Sequence, residues 1–334
     1  NNKGILIAKT DYWDIKETSI VKCMACGISQ LDPMLTDEEV SKGCLAYYVE
    51  ESLRQGLKEH KRNLLRSFRR GVLFGYSLKK WNHKPENILE FGPGTGYFLQ
   101  GIKFVFPEVK ITVADINGEL LDFNRHHHGY EIMKMVPEKK VREFENKFDL
   151  IIARDLLEHV SDASIAITNI NNYLINDGLF HFITPNGHED VWKHYLTYSV
   201  KKQNSELLIN HVNYFDGRGL KNHLSEKGFE TIEYYTYNFK TTRRGRGWKI
   251  SEKLMAPVSH KKNADEYIRR TGELINNEII KEEILNKWFI KRNIPALIWF
   301  IIWYHHGKMI KLDPCLNVGH EIYGLFRKYK NLVR

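Results

Sequence analysis

The chain has 334 residues, 42% of them hydrophobic and 27% charged, with only 9 prolines. That is ordinary globular composition, and it excludes a collagen-like chain, a disordered tail and a disulfide-built mini-protein. The 50 Lys and Arg outnumber the 41 Asp and Glu, and the resulting charge of +9 admits anionic partners: phosphorylated metabolites, nucleic acid or an anionic membrane surface.

Four cysteines do not make a disulfide framework, and free thiols fit a reducing compartment. The N-terminus shows no basic-then-apolar leader, so a cytoplasmic location is expected. The longest apolar run, 294–304, falls short of the roughly 20 residues a bilayer span needs.

Residues 1–43 are mixed, with a turn at Cys23-Met24-Ala25-Cys26-Gly27 and a loop at Leu31-Asp32-Pro33. Residues 44–84 read as helical and basic: Leu53, Leu57, Leu64, Leu65 and Phe68 recur near helical spacing among many Lys and Arg. Residues 1–84 are therefore expected to form a knuckle-like segment and a basic helical cap.

From Asn87 short apolar strands alternate with helices. Strands are expected at 88–91, 110–115, 148–153, 178–184 and 229–239, and helices at 97–106, 118–127, 162–175 and 215–227. This rhythm predicts βαβ units, hence an α/β, doubly wound, mostly parallel sheet. Residues 241–318 interrupt it with a basic loop (Arg243, Arg244, Arg246, Lys249), a charged stretch and an aromatic segment, and are expected to be a helical insertion. A last strand is expected at 319–328, so the core comprises 85–240 plus 319–334.

Glu90-Phe91-Gly92-Pro93-Gly94-Thr95-Gly96 lies between a strand and a helix. Glycines at 92, 94 and 96 let the backbone turn sharply and approach a ligand, and the helix beyond offers free N–H groups. Asp115 ends the next strand, where an acid suits ribose hydroxyls. Tyr97 stands where a dinucleotide-type Gly-x-Gly-x-x-Gly turn needs glycine. Glu90 would repel a pyrophosphate but suits an ammonium-bearing ligand.

These residues, followed by Phe148-Asp149-Leu150-Ile151, Leu157-Glu158-His159-Val160 and Gly178…Thr184-Pro185-Asn186, resemble the class I S-adenosylmethionine-dependent methyltransferases. Cys23-x-x-Cys26 and His211-Val212-Asn213-Tyr214-Phe215 look most like the branch that methylates small molecules, sugars included. The resemblance implies S-adenosylmethionine as cofactor. By it, Glu90, Gly92, Gly94 and Gly96 hold the methionine moiety, Asp115 the ribose and Ile116 the adenine edge. Arg154 and Asp155 would lie beside the sulfonium and the acceptor. The family's acid after the third strand is missing from 132–137, which leaves adenine to backbone groups. Its usual second Cys pair is missing from residues 1–22. Cys23 and Cys26 are half of a zinc site, and a turn held by packing is the expected reading. No metal centre is expected.

A hydroxyl acceptor must lose its proton, and His159, His188 and His211, with Asp155, are the candidate catalytic residues. His181, inside a strand, reads as core or site. His126, His127 and His128 read as a solvated helix end. The expected acceptor is a small molecule, anionic or a sugar, methylated on oxygen; RNA, protein and a lipid-linked acceptor are the alternatives. Nucleic acid is not the expected partner, because no RNA-binding module and no Asn-Pro-Pro-Tyr-type motif is present. The aromatic and basic segment 288–311 fits a core helix, a homodimer contact or peripheral membrane contact.

Overall fold

The computed structural model describes residues 4–12, 16–44, 57–187, 191, 195, 211–237 and 321–329. The strands are β1 (Gly4–Tyr12), β2 (Lys16–Cys23), β3 (Ser29–Asp32), β4 (Asn87–Phe91), β5 (Lys110–Asp115), β6 (Glu131–Lys134), β7 (Phe148–Arg154), β8 (Leu174–Pro185), β9 (Asn213–Tyr214), β10 (Phe229–Tyr237) and β11 (Glu321–Lys328). The helices are α1 (Leu57–Lys80), α2 (Tyr97–Val105), α3 (Gly118–His128), α4 (Ala163–Tyr173) and α5 (Gly217–Glu226). Residues 37–44 are also helical.

The apolar runs after Asn87 become strands buried along nearly their whole length, as β4, β5 and β7 are. Strands of that kind need helices on both faces. They assemble a seven-stranded sheet in the order β10-β11-β8-β7-β4-β5-β6. Strands β8, β7, β4, β5 and β6 are parallel, and β11 and β10 close one edge antiparallel. One apolar cluster joins α1, α2 and α3 to one face of the sheet, and a second joins α4 and α5 to the other. The doubly wound, mostly parallel α/β architecture is therefore present. The chain runs β4, β5, β6 in one direction and then returns to place β7 on the other side of β4. The strand order thus reverses between β4 and β7, which is where such sheets bind ligands.

The helix expected within 44–84 is α1, and it does not stand apart from the sheet. Leu64, Phe68, Val72, Phe74 and Leu78 bury one face in the same cluster as Phe98, Leu99 and Ile102 of α2. Gly71 and Gly101 let the two backbones meet. A Cβ on Gly101 would strike the Phe68 carbonyl and the Val72 amide, and one on Gly71 would strike the Phe98 carbonyl.

The N-terminal residues also form strands that the hydropathy pattern does not predict. β1, β2, β3 and β9 make a second, antiparallel sheet. Ile20, Leu31, Leu35, Val40, Val212 and Tyr214 bury its core. Helix α4 stops at Tyr173, two residues before its expected end, because Leu174 already pairs with Phe148 of β7. Among the described residues no helix is long and apolar enough to cross a membrane. The expected insertion 241–318, with the 288–311 segment and the basic loop, lies outside the described residues.

Candidate active site

The turn after β4 is set by three glycines in the left-handed region: Gly92 at φ 65°, Gly94 at 54° and Gly96 at 71°. A side chain on Gly94 would meet open space, whereas one on Gly96 would collide with Asn124. The turn's carbonyls are held by the end of α3. Asn124 Nδ2 donates to the Gly94 carbonyl at 2.8 Å, Tyr130 OH donates to that of Gly96 at 3.4 Å, and His128 Nε2 lies 2.9 Å from that of Thr95. Burial lowers the His128 pKa to about 4. The ring is therefore neutral at neutral pH, and since a carbonyl only accepts, its Nε2–H is the donor. The solvated reading of the His triplet holds for the exposed His126 and His127 but not for His128, a structural member of the turn.

Asp115 ends β5 beside this turn, and its Oδ1 accepts the Asn117 N–H at 2.8 Å. Burial raises its pKa to about 6 despite that bond. Ile116, Met135, Val136 and Pro137 continue the same wall. Next stands Glu138, which the sequence reading passed over. Its Oε1 accepts the Ser161 N–H at 2.7 Å and the Ser161 hydroxyl at 2.9 Å, and its buried Oε2 has no partner among the described residues. Burial raises its pKa.

Glu90 is wholly buried and ion-paired to Arg154, whose Nε donates to Oε1 at 3.0 Å. The Arg154 guanidinium stacks 3.7 Å from the Phe98 ring centre. Burial pushes the Glu90 pKa up, and Arg154 pulls it back.

The far wall comes from the ends of β7 and β8 and from the chain entering β9. Asp155 sits at φ 51° with its N–H on the Ile183 carbonyl at 2.8 Å. It is open to the cavity but enclosed by protein, and burial raises its pKa against the opposing pull of Arg154, Arg70 and His211. Glu158 is buried, and the Thr184 hydroxyl donates to its Oε2 at 2.9 Å. Its pKa is raised by burial and then by Asp155. The His159 and His211 rings meet edge to face at 5.1 Å. The Val212 N–H donates to the Glu158 carbonyl at 2.7 Å, and Asn213 Nδ2 donates to the Val160 carbonyl at 2.7 Å, tying the two loops together.

One cavity of ≈ 680 Å³ joins these walls. Gly92, Gly94, Asp115, Ile116, Arg154, Asp155, His159 and His211 all line it. Glu90 and Gly96 stand behind the lining. Asp37, Val40, Ser41 and Cys44, from residues 37–44, line the cavity from above. The Ser161 hydroxyl, which also faces Glu138, lies 2.6 Å from Asp37 Oδ1. His188 lies outside the described residues. His181 is core: it is buried, 3.0 Å from the Gly324 carbonyl and stacked on Phe74 at 4.3 Å.

The Cys23 sulfur accepts backbone N–H groups of Cys26 and Ala25, which lowers its pKa. Among the described residues no third metal-ligating side chain joins this pair. Cys44 lies in the cavity wall instead.

A Rickettsia prowazekii (strain Madrid E) protein that bears the name "Putative methyltransferase RP459" is 33% identical over 95 residues, 28% of this chain and 40% of its own length. The malonyl-[acyl-carrier protein] O-methyltransferase of Bacillus anthracis is 28% identical over 98 residues, 29% of this chain and 36% of its own. The match thus spans two fifths or less of these curated relatives. Among solved structures, the plantazolicin methyltransferase BamL, determined in complex with a triazolic desmethylPZN analog and SAH, is 12% identical at a TM-score of 0.46, over 87% of this chain and 91% of that one. A methyltransferase-domain profile matches residues 57–234, from the start of α1 into β10 and just over half of the sequence, and the chain belongs to that family of methyltransferase domains.

Proposed function

We propose that the chain transfers a methyl group from S-adenosylmethionine to a hydroxyl of a small-molecule acceptor, a sugar or sugar nucleotide. The observation that carries this reading is the single cavity joining the glycine turn and Asp115 at one end to Asp155, His159 and His211 at the other. Its volume, ≈ 680 Å³, lies in the range of small-molecule sites. The residues fit the cofactor: the open face of Gly94 admits a ligand against backbone, and Asp115 presents a carboxylate for hydroxyl donors. When bound, the cofactor supplies an electrophilic methyl on a sulfonium sulfur.

The protein's part is to align, exclude water and remove a proton. Ile116, Met135 and Val136 offer an apolar wall for a flat base. Arg154 neutralises Glu90 behind the turn. The 37–44 segment covers the cavity. At the acceptor end, Asp155 and the imidazoles stand ready to take the hydroxyl proton. Asn63, Ser67 and Ser161 line the same cavity and offer the amide and hydroxyl groups that a polyol needs. The free thiols Cys23, Cys26 and Cys44 support a reducing, cytoplasmic setting.

The test uses cofactor labelled in the methyl group, incubated with the protein and an extract of its source cells, then fractionated. Label in the small polar fraction is expected. Label in the lipid or macromolecular fraction overturns the acceptor class, and label nowhere overturns the activity.

A further inference from the structure

We propose that Glu158, His159 and His211 bind a divalent transition-metal ion, zinc foremost, at the acceptor end of the cavity. Each side chain offers one ligand atom, and the three atoms lie within 4.8 Å of one another. Two imidazoles and a carboxylate are the donor set of catalytic zinc sites that keep a fourth position open. Ligand bonds of about 2.0–2.2 Å place tetrahedral donors roughly 3.3 Å apart, so closing round an ion takes about 1.5 Å of side-chain adjustment at most.

The surroundings are those of a built site. Thr184 Oγ1 fixes Glu158 Oε2 at 2.9 Å, the outer-layer hydrogen bond that orients a ligating carboxylate. Glu158 Oε1 is turned toward His159 Nε2, 3.9 Å away. The Val212 N–H on the Glu158 carbonyl and Asn213 Nδ2 on Val160 lock the His211 loop to the Glu158 loop. All three residues line the cavity, as does Asp155, so an ion held there would have the cavity beside it for an acceptor oxygen at the fourth position.

The consequence rests on the methyltransferase reading. An acceptor hydroxyl on the ion becomes more acidic. With the metal-bound nitrogens of His159 and His211 then ligands rather than bases, Asp155 would take the proton, while the acceptor oxygen would bond to the methyl carbon as the sulfur–methyl bond breaks.

The test strips the full chain with a chelator and titrates zinc against a chromophoric competitor. The wild type and the C23S/C26S variant are expected to take up one equivalent at this site. H159A and H211A are expected to lose it, and T184V to bind about 10–100-fold more weakly. Cobalt(II) should give visible bands without thiolate charge transfer, a readout that stands even if an alanine variant fails to fold. Uptake indifferent to His159 and His211, uptake lost with the cysteine pair, or no uptake against the competitor each overturns the site. S-adenosylhomocysteine binding to the stripped protein, measured separately, shows whether the methyltransferase reading itself fails.

Discussion

Arg154 and Glu90, 64 residues apart in sequence, form an ion pair behind the glycine turn, with Nε 3.0 Å from Oε1. The Glu90 side chain is wholly buried and that of Arg154 is 14% exposed. The carboxylate that the sequence pattern points toward the cofactor's methionine end is thus engaged with Arg154, and the guanidinium occupies the cavity wall.

Removing the cation alone would leave a charged carboxylate without its partner. R154A is expected to lose about 3–5 kcal/mol of stability, the usual penalty for breaking a buried pair from one side. E90Q added to R154A should recover part of that loss. Urea unfolding of the three proteins checks this, and a loss below about 1 kcal/mol for R154A would contradict it.

The His128 ring is neutral in the folded protein because burial holds its pKa at about 4. An unfolded imidazole keeps its ordinary value near 6.5. The unfolded chain therefore takes up the proton first as pH falls. The hydrogen bond to Thr95 persists in the folded protein across this window, but the stability the neutral ring contributes is fully present above about pH 6.5 and is lost progressively toward pH 4, as the unfolded chain binds the proton. The stability advantage of wild type over H128A should shrink by about 1–3 kcal/mol across that window. A gap independent of pH would contradict the neutral-donor assignment.

Gly101 brings α2 onto α1 at backbone distance. A methyl there would press on Phe68 and Val72 main-chain atoms, which cannot rotate away. G101A should cost about 1–3 kcal/mol from overpacking, despite alanine's better helix propensity. G118A, where a Cβ meets nothing within 4 Å, is the control and should be neutral or mildly stabilising. Thermal melts of both variants compare the two sites directly.

Much of the sheet was legible because β4, β5 and β7 are near-continuous apolar runs closed by turn residues, a local signal. The cofactor turn was legible for the same reason: three glycines and an acid stand in a fixed order along the chain. β1 to β3 were not legible. Their core is shared with Val212 and Tyr214, nearly two hundred residues away, and short mixed segments such as Lys16–Cys23 show little strand character without that partner. Glu158 was visible as part of a motif, but its place beside His211 depends on the pairing of two distant loops. His128 looked like one of three solvated imidazoles, and only the turn folding back on α3 sets it apart. Glu138 stands one residue beyond 132–137, where the family's adenine-side acid is expected.

Asp115 gives the cofactor end its own pH signature. Burial raises its pKa to about 6, so lowering pH through that value converts the carboxylate to the neutral acid. The charged form is the better acceptor for hydroxyl donors. Affinity for a ribose-bearing ligand should therefore rise from pH 5 to pH 7 and then level off. D115N should flatten the profile. An unchanged slope in that variant would assign the titration elsewhere.

The most direct test of the central claim is a calorimetric titration of the full chain with S-adenosylhomocysteine, in parallel with the D115A variant. The cavity predicts saturable one-to-one binding to the wild type, weakened tenfold or more by D115A, about 1.4 kcal/mol or greater. No binding to the wild type, or binding indifferent to Asp115, would contradict the assignment of this cavity as a methyl-donor site.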